Sequence, residues 1–150
     1  MGPSVVAVER IIAADSGTIF DVLADPAQHS LIDGSGTVRR AQDDSPARLA
    51  LGTEFGMSMK AGAPYKVTNR VVEFDEGRLI AWRHFAGHRW RYTLSPAAGG
   101  THVREEWDPS RVSGVVKIVY RLLGFPERNR NGMTATLARL EKHVGNVAAE

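Results

Sequence analysis

The stretch from Ile80 to Trp107 admits few folds, because two independent residue patterns in it demand the same strand pairing. Side chains along a strand alternate between its two faces. Phe85-Ala86-Gly87 reads as a three-residue hairpin loop with glycine last. That loop sets His84 opposite His88, Trp82 opposite Trp90 and Ile80 opposite Tyr92. Pairing Leu94 with Val103 in the next strand sets Tyr92 against Glu105 and Trp90 against Trp107. The reverse face then brings Arg91 against Glu106 and Arg89 against Asp108, which are favourable cross-strand charge pairs. A slip of one residue destroys the aromatic and the charge match together. The three strands therefore present one aromatic, largely apolar face and one charged face. All three tryptophans of the chain fall on the first.

The remaining elements extend this sheet. Ser4 to Ala13 is rich in valine and isoleucine and reads as a first strand, with apolar residues in both alternating sets. Asp15 or Ser16 caps a helix carrying Ile19, Phe20 and Leu23, and Asp25-Pro26 ends it. His29 to Ile32 makes a further short turn, and Asp33-Gly34-Ser35-Gly36 a loop. Thr37 to Gln42 is a strand, followed by a polar loop through Asp43, Asp44 and Pro46. Thr53 to Lys60 alternates, with Phe55, Met57 and Met59 on one face. After a turn at Ala61 to Pro64, the strand from Tyr65 to Phe74 offers two competing inner sets. One is Tyr65, Val67, Asn69 and Val71; the other includes Val72 and Phe74. Asp75-Glu76-Gly77 is a hairpin turn. Val112 to Leu123 has helical spacing in Val112, Val115, Val116, Val119, Leu122 and Leu123, and Gly124-Phe125-Pro126 breaks it. A last helix from about Glu127 to about Val147 carries the stripe Met133, Leu137, Leu140 and Val144. Strands adjacent in sequence with short turns imply an antiparallel sheet, and this long helix is the element available to cover one face. The fold class is α+β, in one domain over residues 1–150.

The 150 residues suffice for one core without staples, and there is no cysteine, which removes disulfides, thiolate metal sites and a cysteine nucleophile. The net charge is +2, and the fifteen arginines are spread along the chain, so nucleic-acid binding gets little support. Met1 to Val6 shows no signal-peptide pattern, and Val112 to Phe125 is too short and too charged to span a bilayer. The expected location is the cytoplasm, without stable membrane insertion.

The inner face carries the chemistry. Phe55, Met57, Met59, Asn69, Trp82, His84, His88, Trp90, Tyr92, Glu105 and Trp107, with Met133 and Leu137 from the helix, are the candidate ligand-binding residues. Aromatic and methionine side chains on such a face ordinarily form core. A carboxyl among them is costly unless satisfied, so Glu105 either bonds to Tyr92 and structural water or faces a cavity. If desolvated, it binds its proton more tightly and becomes a candidate acid or base. Tyr92 and His88 are the other catalytic candidates. His84, His88 and Glu105 lack a third histidine for a metal site, and a histidine pair at a hairpin end is the simpler reading. No cofactor is implied. Asp33 to Gly36 lacks the lysine and the strand–loop–helix context of a phosphate loop.

Several segments resemble the START-like, or helix-grip, superfamily, which includes bacterial polyketide cyclase/dehydrase and lipid-transport proteins. They are Val8 to Ala14, Ile19 to Pro26, Val71 to Asp75 with Ile80-Ala81-Trp82, Trp90 to Leu94, and Gly132 to Leu137 with Leu140. The resemblance implies a seven-stranded sheet gripping the long helix, with a cavity between them. Members include carriers, receptors, ring-closing enzymes and chaperone partners, and no shared catalytic motif transfers onto these residues. Two functions follow as expectations. One is binding of a small hydrophobic or amphipathic molecule, lipid-like or aromatic; the other is a cyclase or dehydratase using Glu105 and Tyr92.

Overall fold

The computed structural model describes residues 5–41 and 46–149, with side chains as far as residue 145. Ser4 of the first predicted strand, Gln42 of the second, and the loop residues Asp43 and Asp44 lie outside the described residues.

Seven strands form one curled antiparallel sheet in the order β1-β7-β6-β5-β4-β3-β2. They are β1 (Val6–Ile12), β2 (Val38–Ala41), β3 (Glu54–Ala61), β4 (Ala63–Asp75), β5 (Leu79–His84), β6 (Arg89–Ala97) and β7 (Gly100–Asp108). Among the described residues four α-helices accompany them: α1 (Ser16–Leu23), α2 (His29–Ile32), α3 (Gly114–Leu122) and α4 (Phe125–Ala149). A 3-10 turn over Pro26–Gln28 joins α1 to α2.

The register derived from alternation is the one observed. Trp82 pairs with Trp90 and Ile80 with Tyr92 across β5–β6. Trp90 pairs with Trp107, Tyr92 with Glu105 and Arg91 with Glu106 across β6–β7. On the outer face the Arg91 guanidinium donates to Glu73 at 2.7 Å and to Glu106 at 3.1 Å, and Arg89 reaches Glu73 at 2.9 Å. This network, half-shielded from water, holds the Glu73 carboxyl below its ordinary range, chiefly through the hydrogen bond from Arg91.

Two ambiguities resolve physically. Val6, Val8 and Ile12 of β1 stand opposite Trp107, Glu105 and Thr101 and share their inner face. In β4 the ladder shifts between Val71 and Glu73. The extra residue, Val72, lets both competing sets contribute: Val67, Asn69 and Val71 face inward before the bulge, and Phe74 faces inward after it.

The C-terminal half of α4 closes the core. Leu137, Leu140 and Val144 pack with Ile12, Ile19, Phe20 and Leu23. The break before α4 is narrower than the sequence suggests. Gly124 alone turns the chain, with φ 71°, and Phe125 and Pro126 already belong to the first turn of α4. The helix expected over Val112 to Leu123 spans Gly114–Leu122, and much of its apolar stripe faces outward: Val115, Val119, Leu122 and Leu123 are exposed, and Tyr120 is the buried residue of that helix.

The loop after α2 lies directly on α4. A Cβ at Gly34 would fall 2.5 Å from the Gly132 carbonyl oxygen and 2.5 Å from the Thr136 backbone nitrogen. The Gly34 N–H donates to the Thr136 hydroxyl at 2.8 Å. Gly34→Ala is expected to lower stability by about 1–3 kcal/mol in urea unfolding, since backbone atoms cannot step aside. Gly114→Ala, where a Cβ meets nothing within 4 Å, is expected to leave stability unchanged or raised.

Candidate functional site

Between the inner face of the sheet and the N-terminal half of α4 lies a cavity of about 950 Å³. Its existence follows from where α4 touches down. Leu137, Leu140 and Val144 belong to the main core cluster, whereas Met133, with Phe125 beside it, packs in a second cluster with Val6 and Trp107, and the cavity lies between the two. The strands supply Phe55, Met57, Met59, Asn69, Trp82, His84, His88, Trp90, Tyr92, Glu105 and Trp107 to its wall, and α4 supplies Met133. Leu137 is the one candidate placed elsewhere, 2% exposed within the packed core.

The wall is an aromatic assembly. Trp82 stacks on His29 at 4.9 Å between ring centroids, meets Phe55 edge-on at 5.6 Å and tilts against Tyr92 at 5.7 Å. At the other end His84 stacks on His88 at 4.4 Å, and His88 meets Trp90 at 5.8 Å. The His88 Nδ1 and the Tyr120 hydroxyl are hydrogen-bonded at 2.8 Å, which ties α3 to the wall. Tyr120 also stacks on Phe125.

Titratable groups are frequent here, and burial drives each toward its uncharged form. His29 lies below its ordinary value because it is buried, although the Leu23 carbonyl pulls the other way. Since a carbonyl only accepts, His29 Nε2 is the protonated nitrogen, donating at 2.9 Å. His84 is lowered to about 4 by burial, and its Nδ1 accepts from the Ala86 N–H at 3.1 Å. His88 is lowered to about 3 by burial and by His84 beside it. Glu105 is raised to about 8: burial dominates, the Tyr92 hydroxyl opposes it, and the Asp33 charge adds to it. Tyr92 lies well above its ordinary value, through burial first and the Glu105 charge second. Near neutral pH these five side chains are therefore uncharged.

Two wall residues carry buried polar atoms without a hydrogen-bond partner among the described residues, Oε1 of Glu105 and Nε1 of Trp107. An orphaned buried polar atom costs about 1–3 kcal/mol, and both stand on the inner face of β7, two residues apart. Among the described residues no three His, Cys, Asp or Glu side chains converge as a metal ion requires.

Sequence reasoning did not find His29, Asp33, Tyr120, Arg128, Asn129 or Thr136, which also line the cavity. His29 opens α2 and Asp33 follows its last residue; α2 is a four-residue helix whose inward side no periodicity shows. Tyr120 was masked by the valine stripe of α3. Asp33 organises its loop, accepting from the backbone of Gly36 at 2.9 Å and Val38 at 3.2 Å.

Residues 4–145 match the family model described as polyketide cyclase/dehydrase and lipid transport. The chain belongs to that family. The uncharacterized protein Rv0088 of Mycobacterium tuberculosis is 39% identical over 146 residues, covering 93% of this chain and 63% of the relative. The chain thus spans under two thirds of that protein's length. Protein NE0264 of Nitrosomonas europaea superposes with a TM-score of 0.75 at 15% identity, covering 98% of this chain and 97% of the other. The AHSA1-like protein of Aeromonas hydrophila superposes with a TM-score of 0.71 at 16% identity, covering 97% and 95%. These likenesses establish the helix-grip fold that the sequence resemblance implied. No helix of the described residues is long and apolar enough to cross a membrane.

The pH dependence follows from the signs of these shifts. Glu105 keeps its proton to about 8 when folded and loses it near 4.5 when unfolded. Its contribution is complete below 4.5 and is lost as pH rises to about 8. The buried histidines act oppositely, and their effect lies below their ordinary value of 6.5. Between pH 6.5 and 8 Glu105 thus dominates among the shifted groups. Urea unfolding is expected to show stability falling by on the order of 1–2 kcal/mol across that window. In Glu105→Gln that fall is expected to be absent.

Proposed function

We propose that this domain holds one small, uncharged, amphipathic molecule in the cavity. Its apolar body lies against Phe55, Trp82, Met57 and Met133, and an oxygen-bearing end lies toward Glu105 and Trp107. The observation that carries this reading is the pairing of neutral buried side chains with two unpartnered polar atoms, the charged lining residues being the half-buried Asp33 and the exposed Arg128. Where every buried histidine and carboxyl is uncharged the wall disfavours ions, because an ion placed against it loses hydration with nothing to replace it. A protonated Glu105 and the Trp107 indole both offer N–H or O–H donors, so the complementary group is a carbonyl or hydroxyl oxygen. The volume suits a ligand of lipid-like or polycyclic size. The family description, polyketide cyclase/dehydrase and lipid transport, is compatible with such a ligand.

One observation favours catalysis as a second reading. A carboxyl raised to about 8 next to a tyrosine hydroxyl has the proton affinity a general acid needs at neutral pH. In a dehydration it would protonate the leaving hydroxyl as the carbon–oxygen bond breaks, and the resulting carboxylate would take the proton from the adjacent carbon as the double bond forms, with Tyr92 fixing the reacting oxygen.

The test reads the indole N–H resonances of Trp82, Trp90 and Trp107 by NMR during titration with dodecanol, 2-naphthol and dodecyltrimethylammonium. At least one neutral probe is expected to move all three indoles saturably, and the cationic probe none. Glu105→Leu is expected to weaken the neutral probe about ten-fold by removing one hydrogen bond. Indoles unmoved by every probe, or moved equally by the cation, would refute the binding reading. Should a bound molecule prove to be converted, Glu105→Gln is expected to retain binding and lose turnover.

A further inference from the structure

We infer that α3 is a docking surface for an anionic lipid bilayer, set at the mouth of the cavity. The inference goes beyond the ligand reading and stands without it. Val115, Ile118, Val119 and Leu122 fall at i, i+3, i+4 and i+7 and form one continuous helix face, exposed by 73%, 59%, 44% and 80%. No described residue covers this face: the helix packs inward through Tyr120, with Val116 partly buried beside it. Leu123, 55% exposed, and Phe85, 66% exposed, extend the apolar surface and both line the cavity. Phe85 belongs to the β5–β6 loop, and that loop meets the segment leading into α3, because a Cβ on Gly87 would lie 3.3 Å from Val112. The apolar patch is therefore continuous with the cavity rim.

Charge selects the occupant. The segment from Gly114 to Arg130 contains Lys117, Arg121, Arg128 and Arg130 against one acid, Glu127. None of these four cations makes an ion pair with a described residue, whereas Arg89, Arg91, Arg104 and Arg111 on and beside the outer sheet face are all paired. An apolar helix face flanked by unpaired cations matches an interfacial helix lying on anionic headgroups. A second copy of the chain is a poor match. A two-fold contact through α3 would set Lys117 and Arg121 of one copy near the same cations of the other. A bilayer supplies both the apolar layer and the negative charge. In that orientation the rim formed by Phe85 and Leu123 opens onto the acyl region, so an apolar ligand passes between membrane and cavity without crossing water.

The full chain is co-sedimented with vesicles of phosphatidylcholine alone and of equal parts phosphatidylcholine and phosphatidylglycerol. The inference expects sedimentation with the mixed vesicles only, reversed by raised salt. Leu122→Asp and the double variant Lys117→Glu/Arg121→Glu are each expected to reduce binding on the order of ten-fold or more, with unfolding transitions unchanged because these side chains make no core contact. No binding to the mixed vesicles overturns the inference, as does binding insensitive to both variants. A concentration-dependent dimer that Leu122→Asp dissociates also overturns it, assigning the face to a second copy. Vesicle binding is read directly, so a cavity that proves empty leaves this result standing, and a failure here leaves the ligand reading intact.

Discussion

The pairing of Trp90 with Trp107 and of Arg91 with Glu106 is the constraint on which the remaining structure depends. Both pairs are fixed by one register, and each belongs to an opposite face of the sheet. Moving β7 by one residue would drive Glu106 and Asp108 inward and turn Trp107 out to water, so each pattern enforces the other. Once this register holds, the sheet has a side that must be covered and a side that need not be. The outer side pairs its charges through Arg89, Arg91, Glu73 and Glu106. The inner side carries more aromatic surface than one helix can cover along its length.

The way α4 covers that surface explains the cavity. Helix and sheet come together around Leu137, Leu140 and Val144, where α1 contributes Ile19 and Leu23. Toward the start of α4, Met133 and Phe125 pack with Trp107 and Tyr120 in a second cluster. The space between the two clusters remains open. Its walls hold histidines, a tyrosine and a glutamic acid that burial keeps neutral, while the charged lining residues are the half-buried Asp33 and the exposed Arg128. Glu105 Oε1 and Trp107 Nε1 of this wall stand without a hydrogen-bond partner among the described residues.

The sequence carried the sheet further than the site. Alternation identified the β5–β7 register and the inner face because period-two patterns report facing directly. In β4 the same pattern was contradictory for a physical reason: the bulge at Val72 switches the inward set midway, and no local residue choice announces it. For α3, helical spacing located the helix but left open which way its apolar side faces. Periodicity reveals that a helix has an apolar face, but not whether the rest of the chain meets it. Leu137 was placed on the wall from its stripe, yet it lies past the point where α4 meets the sheet. His29 and Asp33 reached the cavity through a short helix and a loop held against α4 by Gly34, contacts that join residues about a hundred positions apart. Such long-range placement leaves no mark in a local pattern.

The central claim, that the space between sheet and helix holds a small molecule, is met most directly by native mass spectrometry. Protein incubated with an extract of the cells that express it would be washed and measured natively, then measured again after denaturation. The account predicts one discrete added mass per chain, present natively and lost on denaturation. A single native mass equal to that of the bare chain, unchanged by the extract, would contradict it.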